Sequence, residues 1–90
     1  MLYSGLVAIT PDEISARIRA VLPDAEVSVT DTGGGDHFSA TVVSAAFSGK
    51  GLVDRHRLVY AALGEAMRGP IHALALSTFT PQERRERSPS

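Results

Sequence analysis

A chain of 90 residues can build one modest hydrophobic core but is too short for a second domain or a deeply enclosed active site. Its 10 acidic and 9 basic side chains nearly cancel, which excludes a general attraction for polyanions and leaves nucleic-acid contact to a local patch. Cysteine is absent, so disulfides cannot staple the fold, and any metal site must draw on histidine, carboxylate or a ligand brought by a partner.

The stretch from Met1 to Ile9 lacks a basic leader and reads as an ordinary leader strand or coil; no segment is long enough to cross a membrane, so the cytosol is the expected compartment. Thr10, Pro11, Asp12 and Glu13 form a capping box that starts a helix. Ile14, Ile18, Val21 and Leu22 then fall on one face, and Pro23 ends the element. From Ala25 to Thr30 apolar and polar residues alternate, which predicts a half-buried strand. A turn over Asp31, Thr32, Gly33, Gly34, Gly35 and Asp36 leads into a second alternating strand through Phe38, Ala40 and Val42, giving a hairpin with His37 at its exit.

Ala45 to Gly51 is a connector ending in two glycines around Lys50. In the second helix Asp54 favours the first turn, Val59, Ala62, Leu63 and Ala66 make the apolar stripe, and Gly69 with Pro70 provide the stop. Gly64, inside that helix, is read as an allowance for close packing. A third strand covers Ile71 to Phe79, and the polar remainder from Gln82 adds at most a helical turn before fraying. The expectation is one domain over 1–90, with an ordered core over about 8–82 and a polar tail over 83–90. Its order αββαβ predicts an α+β fold, a three-stranded mixed sheet with helices packed on one face.

A strand, helix, strand crossover places its two strands parallel and right-handed, so both begin at the same edge of the sheet. His37 opens the second strand and His72 the third, which brings two residues distant in sequence to one end. If the strands are neighbours, their backbones are about 5 Å apart, within reach of one metal ion or cluster. Two imidazoles are an incomplete coordination sphere, so a stable site needs donors from another molecule.

Arg55, His56 and Arg57 sit at the start of the second helix, either as a solvated face or, with Lys50, as a basic patch for phosphates. The glycines around Lys50 are one residue short of the GxxG loop with which KH modules clamp nucleotides. Ser39, Ser44 and Ser48 lack a nucleophile-elbow context, and Asp31, Asp36 and Asp54 lack the paired spacing of general acid–base work. The sequence therefore points away from an enzyme and from a small-molecule substrate.

The segments GDHFSATVVSAAFSG, VDRHRLVYAALGEAM and GPIHALALSTFTPQE together resemble the BolA family in order and spacing. That resemblance implies a KH-like class II topology and a heterodimeric partnership with monothiol glutaredoxins. Proteins similar to this one share a [2Fe-2S] cluster with such a glutaredoxin and its bound glutathione, and the isolated protein is not expected to hold it tightly. By position, the family's loop ligand is His37 and the histidine of its HAL motif is His72. The family is also linked to transcriptional control of cell shape, stress response and biofilm formation, a role that would use Lys50, Arg55, His56 and Arg57 on DNA.

Overall fold

The structure, a computed structural model, describes residues 8–87. The leader expected over Met1 to Ile9 therefore lies, but for its last two residues, outside the described residues, as does the end of the polar tail. Helix α1 (Pro11–Val21) is followed by strands β1 (Glu26–Gly33) and β2 (His37–Val43), helix α2 (Leu52–Leu63), strand β3 (Ala73–Phe79) and helix α3 (Pro81–Arg87). Short 3-10 segments, Ala45–Phe47 and Gly64–Arg68, flank α2.

The α1 capping box forms in both directions: the Glu13 amide donates to Thr10 Oγ1 (3.1 Å) and the Thr10 amide to Glu13 Oε1 (2.9 Å). Its one-face spacing sends Ile14, Ile18 and Leu22 into the core, while Val21 stays exposed on the rim.

The sheet order is β1-β2-β3, with β1 and β2 antiparallel and β2 and β3 parallel. Helix α2 provides the crossover, so the neighbouring parallel strands expected from the sequence are present. Phe38, Ala40 and Val42 are buried on the face toward the helices, and Phe38 and Val42 pack with Ile14, Ile18, Phe47, Val59, Leu63 and Ile71. The opposite face sets Ser28, Thr41 and Ser77 in one row and Glu26, Val43 and Phe79 in another.

Three features depart from the sequence expectation. Strand β1 runs on to Gly33, and its register shifts between Asp31 and Gly33, where Asp31 Oδ1 accepts from the amides of Gly33 (2.9 Å) and Gly35 (3.3 Å). The hairpin's turn is thus held by a side chain, and Gly34 and Gly35 take φ of 74° and 79°.

Gly64, secondly, ends α2 as an α-helix. A Cβ there would meet nothing within 4 Å, so close packing is not the reason for glycine. The reason is backbone: φ 51° with ψ −122° is open to glycine and strained for any other residue. The chain tightens into the 3-10 segment, which still buries Ala66.

Thirdly, the chain beyond Thr80 forms a helix of 7 residues where at most one turn was expected. Thr80, Pro81, Gln82 and Glu83 repeat the box of Thr10 to Glu13, and the Thr80 amide donates to Glu83 Oε1 (2.9 Å) while the Glu83 amide donates to Thr80 Oγ1 (3.1 Å). The Arg55 guanidinium grips both Glu83 oxygens at 2.7 and 3.1 Å and so ties α3 to α2. Arg84 and Arg87 lie over the Phe79 ring, each 5.5 Å from its centroid.

The Arg55 hydrogen bond, aided by the Thr80 amide, pulls the Glu83 carboxyl from its ordinary 4.5 down to about 2. A lowered folded-state pKa contributes stability that is full above the unfolded value and is lost as pH falls from about 4.5 toward 2. Urea unfolding should show wild type more stable than Glu83→Gln at neutral pH, with the gap closing through that acid window. A gap that stays constant down to the low end would mean that the ion pair does not hold α3.

Candidate metal centre

His37 begins β2 because the turn built on Asp31 ends just before it, and the parallel pairing sets Ala73 opposite His37. His72 stands one residue ahead of β3 rather than on it. It is fixed there because the Asp36 carbonyl accepts the amides of both His72 (2.7 Å) and Ala73 (3.2 Å). The two imidazoles meet at one end of the sheet, with ring centroids 5.1 Å apart and planes tilted by 56°. Both residues are exposed.

His37 Nδ1 lies 2.7 Å from Asp36 Oδ1. A carboxylate can only accept, so Nδ1–H is the donor. In the neutral ring the His37 nitrogen left with a free lone pair is then Nε2.

As a donor set the pair is selective. Among the described residues no group of three or more His, Asp or Glu side chains could hold a metal ion, and the chain has no cysteine. Iron and zinc in proteins usually take four ligands, so two nitrogens cannot by themselves retain either. Two histidines on one iron of a [2Fe-2S] centre, with the other iron ligated differently, is a known donor pattern, and the pair fits such a shared centre. The hollow between β3 and α3, about 400 Å³ and lined by Arg55, Thr78, Phe79, Glu83, Glu86 and Arg87, opens at the far end of the sheet from the imidazoles.

The basic segment is not brought together as one patch. The Arg55 side chain is only 13% exposed; its Nε donates to the Lys50 carbonyl (2.8 Å), and its terminal nitrogens are engaged by Glu83. His56 sits edge-on to Tyr60, with Nε2 buried and without a hydrogen-bond partner. Lys50 and Arg57 face solvent, Arg57 at 3.9 Å from Asp54.

In the sequence Asp36 stands as a turn residue without the paired spacing of acid–base work, and not as a part of the histidine site. The signal that could have singled it out is its adjacency to a histidine at the exit of a glycine turn, because metal-ligating histidines usually donate their second nitrogen to a carboxylate or carbonyl.

Comparison with known proteins gives a consistent answer. A family model described as BolA-like protein matches residues 12–83. The human protein named BolA-like protein 1 is 52% identical over 52 residues, which cover 58% of this chain and 38% of the human one. The chain thus spans well under half the length of that relative. A Vibrio cholerae protein named DNA-binding transcriptional regulator BolA is 39% identical over 72 residues, 80% of this chain and 68% of the relative. Among solved structures, a bol-like protein from Babesia bovis superposes with a TM-score of 0.81 at 36% identity, covering 91% of this chain and 96% of the other.

Proposed function

The chain belongs to the BolA family, and from that membership we propose that it is a non-enzymatic, cytosolic partner of monothiol glutaredoxins that contributes His37 and His72 to a shared [2Fe-2S] cluster. One observation carries the reading: two exposed imidazoles lie 5.1 Å apart, held by backbone and turn, and among the described residues no group of three or more His, Asp or Glu side chains could hold a metal ion. When bound, such a cluster supplies one-electron chemistry and iron and sulfur for transfer.

The chain's own part is nitrogen donation. His37 would use Nε2, since Nδ1–H is engaged by Asp36, and His72 approaches from the adjoining residue before β3. The partner's cysteine and its glutathione would provide the sulfur ligands that this sequence lacks. Because both histidines are exposed, a second protein can reach the pair without rearranging the core.

Mixing the purified protein with a cluster-loaded monothiol glutaredoxin should change its visible absorption and circular dichroism, because replacing a ligand on iron alters the sulfur-to-iron transitions. A spectrum identical to the sum of the parts would sink the reading.

A second reading draws on the name of the Vibrio cholerae relative, a DNA-binding regulator. In it, Lys50 and Arg57 contact phosphates, with Arg55 serving the fold and His56 shielded. Two phosphate contacts predict a shallow salt dependence, log Kd changing by about two for each decade of salt. Fluorescence anisotropy on promoter fragments should show Lys50→Ala with Arg57→Ala abolishing that slope. Binding that is undiminished in the double variant would remove both residues from the role.

A further inference from the structure

The turn before β2 does more than reverse the chain. Asp36 touches both halves of the imidazole pair: its carboxylate accepts the Nδ1–H of His37 at 2.7 Å, and its carbonyl accepts the amide of His72 at 2.7 Å. Its neighbours make room for this. A Cβ on Gly34 would come within 3.2 Å of Asp36 Oδ1, the same oxygen that holds His37. The Asp31 carboxylate organises the turn that delivers Asp36 to this place, through the amides of Gly33 and Gly35.

We infer that Asp36 is the positioning residue of the pair: its carboxylate sets His37 in the Nδ1–H tautomer with Nε2 aimed outward, while its carbonyl fixes the backbone of His72 beside it. The inference rests on the shared-cluster reading and deepens it. Without the carboxylate, a surface imidazole is free to turn about its side-chain torsions and to favour the Nε2–H form, in which the outward nitrogen carries a proton and cannot ligate. The carboxylate also makes the imidazole a better donor by polarising its Nδ1–H bond, and loss of such a partner typically weakens metal binding roughly 10–100-fold.

The first arm of the test needs neither iron nor a partner. Long-range proton–nitrogen correlation spectra of the free protein at about pH 8 should show His37 as the Nδ1–H tautomer. Asp36→Ala should shift it to the Nε2–H form, and Asp36→Asn, whose amide oxygen still accepts, should largely restore the Nδ1–H form. Both variants keep the carbonyl that holds His72, and far-ultraviolet circular dichroism checks that they fold.

The second arm titrates the same three proteins into cluster-loaded glutaredoxin. Asp36→Ala should give the wild-type spectral change at a midpoint roughly 10-fold or more higher in concentration, with Asp36→Asn between the two. Wild-type His37 in the Nε2–H form, a tautomer indifferent to Asp36→Ala, or an unmoved midpoint would each overturn the role of Asp36 and leave the shared cluster standing. If wild type itself leaves the glutaredoxin spectrum unchanged, the shared-cluster reading falls, and the ligand-positioning role falls with it.

Discussion

With alanine at both His37 and His72, mixing should leave the spectrum of a cluster-loaded glutaredoxin as it was, while the chain's own stability changes by no more than about 0.5 kcal/mol. The two halves of that expectation have separate causes. Neither residue belongs to the core, and the His37 side chain is 46% exposed, so removing the rings exposes no apolar surface and opens no cavity. The expected spectral change, by contrast, depends on the nitrogen donors, since among the described residues no group of three or more His, Asp or Glu side chains could hold a metal ion in their place. Either single variant keeps one imidazole and should weaken the complex without abolishing it, with the larger loss on the residue whose nitrogen is better oriented. Urea unfolding run beside the spectra separates a missing ligand from a misfolded chain. A double variant that still alters the glutaredoxin spectrum would show that other groups make the contact.

The largest effect on the fold itself is expected at Phe47. Its ring is fully buried although it sits in the 3-10 segment of a short connector without helical or strand periodicity. Ser44 anchors that segment: its amide donates to the Phe79 carbonyl (3.0 Å), and its hydroxyl donates to Asp24 Oδ1 (2.8 Å) while accepting the Ala46 amide (3.1 Å). The Ala45 amide and the Ser44 hydroxyl hold the Asp24 carboxyl below its ordinary range, as a charged clasp between two loops. Phe47 is thereby driven into the cluster of Ile14, Ile18, Val42, Val59 and Leu63. Phe47→Ala should cost about 3–5 kcal/mol through lost burial and the cavity left behind, against a total of about 5–15 kcal/mol for a natural domain. The variant also removes the ring beneath the Arg55 guanidinium, 5.9 Å above it, and so loosens the α2–α3 contact. Guanidinium unfolding followed by circular dichroism measures this directly, and a loss below about 1 kcal/mol would mean that the ring's packing can be replaced by local collapse.

Sequence alone determined whatever depends on residues within a turn or two of one another. The cap at Thr10, the stripes of α1 and α2, the alternation of β1 and β2, and the stop at Pro23 are local patterns, and the handedness of a crossover extends them to the parallel neighbours that bring His37 and His72 together. The box at Thr80 was equally visible as a repeat of Thr10 to Glu13, and its charged surroundings hid it: without an apolar stripe, nothing in the pattern promised that a helix would be held in place. Only the tertiary structure supplied the hold, in Arg55 reaching Glu83 from another element, and the same contact took Arg55 out of the basic patch. Gly64 shows the same division, since a glycine in a helical stretch is readable but the backbone angle that requires it is set by where the chain must go next. The choice of His37 nitrogen was likewise beyond the sequence, because a tautomer is decided by which acceptor lies within hydrogen-bond distance of the folded ring.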